Sequence, residues 1–176
     1  YGNPSSLHSK GLEAELLMKS AAADLARILN CAPEELYFTS GGTEANNWAI
    51  LSGYESRRRR ATGVVTTAFE HSSVLEPVQY LAERQGAQAV FVAPDGEGHI
   101  RPADVLERVD ENTALVSLMA VNNEIGTVLP IQALTAAIKK KAPKALVHCD
   151  GVQAFGKLPI NLKAWGVDLF TFTGHK

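Results

Sequence analysis

The sequence predicts an α/β fold, a mostly parallel sheet with helices on both faces, and three observations carry that prediction. Strand-like runs alternate with helix-like segments along the whole chain. The strands read as near-continuous apolar stretches, the pattern of strands covered on both faces. Polar and titratable residues collect just after those strands, where open parallel sheets gather their ligands.

Taken in order, Leu12, Leu16, Leu17, Leu25, Ile28 and Leu29 recur at helical spacing, so residues 9–29 form an amphipathic helix ending near Asn30. Leu36-Tyr37-Phe38-Thr39 is a short β-rich run. It breaks at Gly41-Gly42, and Thr43 opens a second helix through Trp48, Leu51 and Tyr54. Residues 63–69 form the next strand and 73–85 the next helix. Ala89-Val90-Phe91-Val92-Ala93 is a strand and Pro94-Asp95-Gly96 a turn. Pro102 starts a short helix at the first helical position, where its missing N–H is no loss. Residues 114–121 are a strong strand leading into a polar loop at 122–126. Residues 130–141 are helical, and 145–149 and 167–173 are the last two strands.

The 176 residues suffice for one α/β domain with a real core, and 45% hydrophobic with 20% charged content is ordinary for a globular chain. Seventeen basic against nineteen acidic residues leave a net charge of -2, so no overall field favours nucleic acid or an anionic membrane. No apolar run approaches the roughly 18 residues of a membrane span, and no signal peptide opens the chain. Cys31 and Cys149 are too few for a disulfide framework and point to a reducing compartment, so a cytoplasmic location is expected. Arg57-Arg58-Arg59-Arg60 reads as a solvated helix end that complements the dipole rather than as a nucleic-acid contact. The chain opens at Tyr1 and stops at Lys176 directly after a strand-like run. The expectation is an internal piece of a longer protein, with segments missing on both sides.

Five places at strand ends carry chemistry. In Thr39-Ser40-Gly41-Gly42-Thr43-Glu44-Ala45-Asn46, two glycines let backbone approach an anion, and the following helix turns free N–H groups towards it. It is neither a Walker loop nor G-x-G-x-x-G, and a tight turn capped by Thr43 explains it equally well. His71, at the end of a strand, could stack on a flat ligand and move protons, although a lone histidine is more often structural. Asn122 and Asn123 offer neutral amides, or simply an Asx-rich turn. In His148-Cys149-Asp150, alternation sets His148 and Asp150 on one face and Cys149 on the other, which argues against a joint metal site. A carboxylate at the end of an apolar strand needs a cationic partner, such as a protonated pyridine nitrogen. Gln153 faces the same region. Lys176, after Thr173-Gly174-His175, ends a buried strand, where its amine can be desolvated enough to condense with an aldehyde, although a solvated lysine at an arbitrary cut is the commoner case in an unknown sequence. Each signal is modest. Together, an anion cradle, a stacking ring, amides, a carboxylate and an amine match the needs of pyridoxal 5'-phosphate (PLP).

At this point the sequence resembles a known family. Gly2-Asn3-Pro4-Ser5-Ser6-Leu7-His8, the 39–46 segment, Glu70-His71, Asn122-Asn123-Glu124-Ile125-Gly126, Asp150 with Gln153, and Thr173-Gly174-His175-Lys176 recur in this order in the cysteine desulfurases. These belong to the class V aminotransferase superfamily on the fold type I PLP architecture, and the likeness is closer to the housekeeping NifS-like branch. The resemblance implies that residues 1–176 are part of the large PLP-binding domain, without its upstream edge or the downstream small domain. It implies that Lys176 holds the cofactor and moves protons, that Asp150 pairs with the pyridinium nitrogen, and that His71 stacks on the ring. Gly42, Thr43, Thr173 and His175 would bind the phosphate, and Asn123 and Gln153 would lie near the phenolic oxygen. Family members often have serine where Thr173 stands, so a hydroxyl is kept. The implied reaction converts L-cysteine to L-alanine and leaves persulfide sulfur on an enzyme cysteine that neither Cys31 nor Cys149 matches. That cysteine and the carboxylate-binding arginine would lie beyond Lys176, so the 176 residues alone are expected to be inactive. A homodimer, and a sulfur acceptor such as an iron–sulfur scaffold protein, are implied as partners. A class V aminotransferase, a selenocysteine lyase, and a non-catalytic scaffold with a degenerate pocket are the competing readings.

Overall fold

A computed structural model describes residues 2–176, which form two compact units. The smaller comprises the residues up to Phe38 together with Ile160–Lys163, and the larger comprises Thr39–Pro159 with Ala164–Lys176.

The smaller unit is built on helix α1, Ser9–Leu29. His8 caps its start by accepting the Gly11 N–H on Nδ1, and Asn30 ends it in the left-handed region at φ 56°, which asparagine tolerates better than most residues. The helix forms where its periodicity places it, but Leu12, Leu16, Leu17 and Ile28 of the apolar stripe are exposed, while Ala26 and Leu29 are buried. The amide of Asn30 donates to Asn161 at 2.9 Å, tying the unit's two chain segments. The β-rich run at 36–39 departs from expectation. Leu36 is extended (φ -98°, ψ 129°), yet the run belongs to none of the strands, and Tyr37 and Phe38 are exposed. β propensity makes a strand only where a ladder and a covering layer are supplied.

The larger unit holds a five-stranded, all-parallel sheet in the order β2-β1-β3-β4-β5. Its strands are β1 (Gly63–Thr67), β2 (Gln88–Val92), β3 (Thr113–Met119), β4 (Leu146–Asp150) and β5 (Leu169–Thr171). Around them run α2 (Gly42–Arg57), α3 (Ser72–Gln85), α4 (Pro102–Arg108) and α5 (Ile131–Lys141), while the short α6 (Leu162–Trp165), which the sequence pattern did not signal, has its first two residues in the smaller unit. From β1 the chain steps to one edge through α3, returns past β1 through α4, and continues outward through α5. Right-handed crossovers therefore put α3 on one face and α4 and α5 on the other. The step direction reverses between β1 and β3, and ligands favour that position in such sheets.

Strand register explains the core. Val64 pairs with Leu115, and both pack against Ile50 and Tyr54 of α2 and Val74, Val78 and Leu81 of α3. Burying such side chains contributes roughly 1.5–3 kcal/mol each. Further along the same face the residues turn polar: Thr66, Ser117 and His148 lie in one row, and Met119, Asp150 and Thr171 in the next. The inner face of α2 follows the same gradient, from Tyr54 and Gly53 through Ile50 and Ala49 to Asn46, all buried. Gly53 brings α2 close to the sheet, since a Cβ there would lie 3.3 Å from Leu169 Cδ1 and 3.5 Å from Leu115 Cδ1. The apolar end of this layer makes the core and the polar end makes the site.

Candidate active site

A cavity of about 360 Å³ opens beyond the carboxyl ends of the strands, and it is lined by every residue to which the family resemblance gives a role, but not by Asn122, whose Oδ1 accepts the Glu124 and Ile125 N–H groups in an Asx turn. The start of α2 contributes Gly42 and Thr43, the β1–α3 junction His71, and the loop after β3 Asn123. Asp150 ends β4, Gln153 follows it, and Thr173, His175 and Lys176 follow β5. His175 and Lys176 both lie past the last strand residue and are exposed.

The anion cradle is a helix start. Gly41 precedes α2 in an extended conformation, so the first-turn N–H groups of a 16-residue helix point outward with its positive dipole end. A Cβ on Gly42 would lie 3.1 Å from Thr173 Cγ2 and 3.2 Å from Val152 Cγ2, so only a glycine leaves this approach uncrowded. Thr173 Oγ1 is buried and has no hydrogen-bond partner. A buried hydroxyl without a partner costs about 1–3 kcal/mol, and an anion on the adjacent helix start would satisfy it. Glu44 caps the same turn: its carboxylate accepts the Ser40 N–H at 2.6 Å, and the Ser40 hydroxyl, then that N–H, hold it below the usual range.

The cavity floor is a buried polar network, and most of it was not singled out from the sequence. Asp150 Oδ1 accepts the Val152 N–H at 2.9 Å, and Oδ2 accepts from Asn46 Nδ2 at 2.8 Å, the donor pattern of a carboxylate. Asn46 Nδ2 also donates to Ser73 Oγ at 2.9 Å, and Asn46 Oδ1 accepts from Thr171 Oγ1. Thr171 Oγ1 lies 3.2 Å from His148 Nε2, and His148 Nδ1 lies 2.8 Å from Ser117 Oγ. Burial pushes His148 down to about 4, with the charge of Asp150 opposing, so the ring is neutral at pH 7. His71 caps α3, its Nδ1 accepting the Ser73 N–H at 3.1 Å and lying 2.8 Å from Ser73 Oγ. Asn46 belongs to the quoted 39–46 segment, and its place one face-repeat before Ile50 and Gly53 could have marked it as buried.

Glu70 is the second residue that gained no role from sequence. It is buried, its Oε1 accepts from Thr67 Oγ1 at 2.5 Å and from the Met119 N–H at 3.0 Å, and Oε2 has no partner. Burial pushes its carboxyl up to about 8 against those two hydrogen bonds, and the charge of Asp150 raises it further. Cys149 lies in register with Leu118 on the opposite sheet face, fully buried, and burial pushes its thiol well above the usual range. Burial, with Glu35 adding, also raises Cys31. Neither is an activated thiol.

A parallel α/β sheet with a helix-start anion cradle, a strand-end carboxylate and a lysine beside one cavity defines a class of phosphate-cofactor enzyme architectures. The class-V aminotransferase family model matches residues 1–176, and the chain belongs to that family. A putative cysteine desulfurase IscS 1 of Bacillus subtilis (strain 168) is 40% identical over 176 residues, covering 100% of this chain and 46% of the relative. The cysteine desulfurase IscS of Dictyoglomus turgidum is 37% identical, over 100% of this chain and 44% of its own. Among solved structures, a NifS-like protein superposes with a TM-score of 0.93 at 40% identity, over 99% of this chain and 48% of that one. A structure described as SspA in complex with cysteine superposes at 0.91 with 31% identity, over 99% of this chain and 50% of that one. The chain thus spans about half the length of the relatives it matches. Among the described residues, no helix is long and apolar enough to cross a membrane.

Proposed function

We propose that this chain supplies the cofactor pocket of a PLP-dependent cysteine desulfurase, which converts L-cysteine to L-alanine and delivers the sulfur as a persulfide. One observation carries the reading. The partnerless hydroxyl of Thr173, the Gly42 helix start, the doubly bonded carboxylate of Asp150 and Lys176 meet at one cavity, in a chain whose relatives are named cysteine desulfurases. These groups fit PLP. Thr173, Thr43, His175 and the first N–H groups of α2 would hold its phosphate, Asp150 would face its ring nitrogen, and His71 would lie against the ring. Asn123 and Gln153 would approach the phenolic oxygen, although Gln153 Oε1 also accepts from Lys157 at 2.9 Å.

When bound, PLP supplies an electron sink for charge developing at the substrate's α-carbon. The protein's share is positional. Lys176 would carry the cofactor on its amine and return protons at the α-carbon, and His71 would assist proton transfer at the rim. The substrate's C–S bond breaks as a thiolate of the enzyme takes the sulfur; the thiol becomes a persulfide and the former Cβ gains a proton as alanine forms. That thiol would lie outside these residues: neither Cys31 nor Cys149 lines the cavity, and Cys149 is fully buried. A homodimer, a cytoplasmic location and a sulfur-accepting partner such as an iron–sulfur scaffold protein complete the proposal.

The test is to load the full-length protein with PLP and measure alanine and sulfide from L-cysteine, beside a Lys176→Ala variant. Lys176-dependent release of both supports the desulfurase. Cofactor uptake without sulfide moves the assignment to an aminotransferase or another lyase, and no uptake of PLP removes the cofactor reading altogether.

A further inference from the structure

The network beneath the cavity has a direction, and that direction can be deduced. Asp150 is an acceptor, so the amino group of Asn46, 2.8 Å away, must face it, and the amide oxygen must face Thr171. Thr171 then donates its hydroxyl proton to Asn46 and has only a lone pair for His148 Nε2 at 3.2 Å. His148 therefore carries its proton on Nε2, and its bare Nδ1 accepts from Ser117 Oγ at 2.8 Å. On the other branch, Ser73 Oγ accepts from Asn46 at 2.9 Å and lies 2.8 Å from His71 Nδ1, whose single lone pair already accepts the Ser73 N–H at 3.1 Å. Every donor has one acceptor, from Ser117 on β3 to Asp150 at the end of β4. Reversing the Asn46 amide would set oxygen against the carboxylate of Asp150 and break both branches.

We infer that His148 and Thr171 are positioning residues which, through Asn46, orient Asp150 for the cofactor. His148, Thr171 and Asn46 are each at least nine-tenths buried, so water cannot substitute for a lost member. Among the described residues, the charged group facing His148 on its side of the sheet is Asp150, two residues along the same strand; Ser117 and Thr171 meet the ring from β3 and β5, and Asn46 of α2 meets Thr171. His71 stands apart from this chain, because the backbone N–H of Ser73 holds its Nδ1 as an acceptor. Steric filling alone would tolerate valine at position 171; a directional chain would not.

The inference rests on the PLP reading, and its test separates the two. In the full-length protein, 15N NMR of the histidine rings is recorded without cofactor, and the PLP dissociation constant is then measured by titration. Wild type is expected to show His71 and His148 both as Nε2–H tautomers at neutral pH. Thr171→Val, close in volume but without the hydroxyl, should abolish the His148 tautomer preference, leave that of His71 in place, and weaken PLP binding about tenfold, as expected when buried partners are left unpaired. Thr171→Ser should restore the wild-type values. A wild-type Nδ1–H tautomer at His148 overturns the inference whether or not any variant folds. So does a Thr171→Val protein with unchanged His148 signals and unchanged PLP affinity, while the cofactor reading stands. Failure of wild type to take up PLP removes the cofactor reading and leaves the tautomer result to decide the network alone.

Discussion

The floor and the rim of the cavity are built on opposite terms. Asn46, His148, Asp150 and Thr171 are buried and joined by hydrogen bonds across three elements. Thr43, His71, Asn123, His175 and Lys176 are exposed and hang from element ends. The floor is fixed by folding, so its geometry exists before any ligand arrives. The rim gains its geometry from whatever binds. A substitution in the floor should therefore disturb stability and binding together, whereas one at the rim should disturb binding or chemistry alone.

Lys176→Ala is the sharpest case on the rim side. Under the proposed reaction it should lower alanine release by on the order of 10³-fold or more, while the urea midpoint of the full-length protein stays within about 0.5 kcal/mol of wild type. A matching loss of stability would break the contrast, because an exposed amine would then be holding the fold.

Asn46→Ala is the floor's counterpart. It removes one amide and leaves Asp150, Ser73 and Thr171 each short of a partner, so a loss of about 2–4 kcal/mol in unfolding free energy is expected together with weaker PLP binding. Loss of binding at full stability would mean the floor is no more than a rim that happens to be buried.

The floor also predicts a pH signature. Glu70 is held up to about 8 by burial, above the value near 4.5 of an unfolded glutamate. The folded chain thus keeps a proton that the unfolded chain loses, and stability falls as pH rises from about 4.5 towards about 8. His148 acts in the opposite sense: held down to about 4, it makes stability fall as pH drops from about 6.5 towards 4. The two slopes oppose each other below about pH 6.5, which leaves a net fall on the order of 2 kcal/mol between 6.5 and 8. Urea titrations at pH 5.5, 6.5 and 8 should show that fall in wild type and its absence in Glu70→Gln. An equal fall in both would assign it to other groups.

Different physics made the two regions legible to different degrees. The rim was readable because its residues punctuate the pattern: Gly41-Gly42, His71, Asp150 and Lys176 interrupt or end apolar runs, and the family resemblance ordered them. The floor was hidden because Ser117, His148 and Thr171 look like ordinary polar positions within strands, and only the register of β3, β4 and β5 brings them into line with Asn46. Glu70 stood in plain view beside His71, but its burial depends on loop closure over Met119, which no local spacing encodes. The 36–39 run failed for the converse reason, since local propensity was present and a ladder was not.

Thr173 lies on the boundary, and the smallest expected effect tests where the boundary falls. Its backbone follows the last strand and its hydroxyl is buried like the floor's, yet it has no partner, as if kept for a ligand. If it belongs to the floor, Thr173→Val should destabilise the cofactor-free protein. If it is held for an anion, removing an unsatisfied hydroxyl should leave the free protein as stable or slightly more so, and weaken PLP binding by about tenfold. Paired measurements of the urea midpoint without cofactor and of the dissociation constant for PLP distinguish the two. The second outcome is expected, because the hydroxyl has no hydrogen bond in the folded chain for its removal to break.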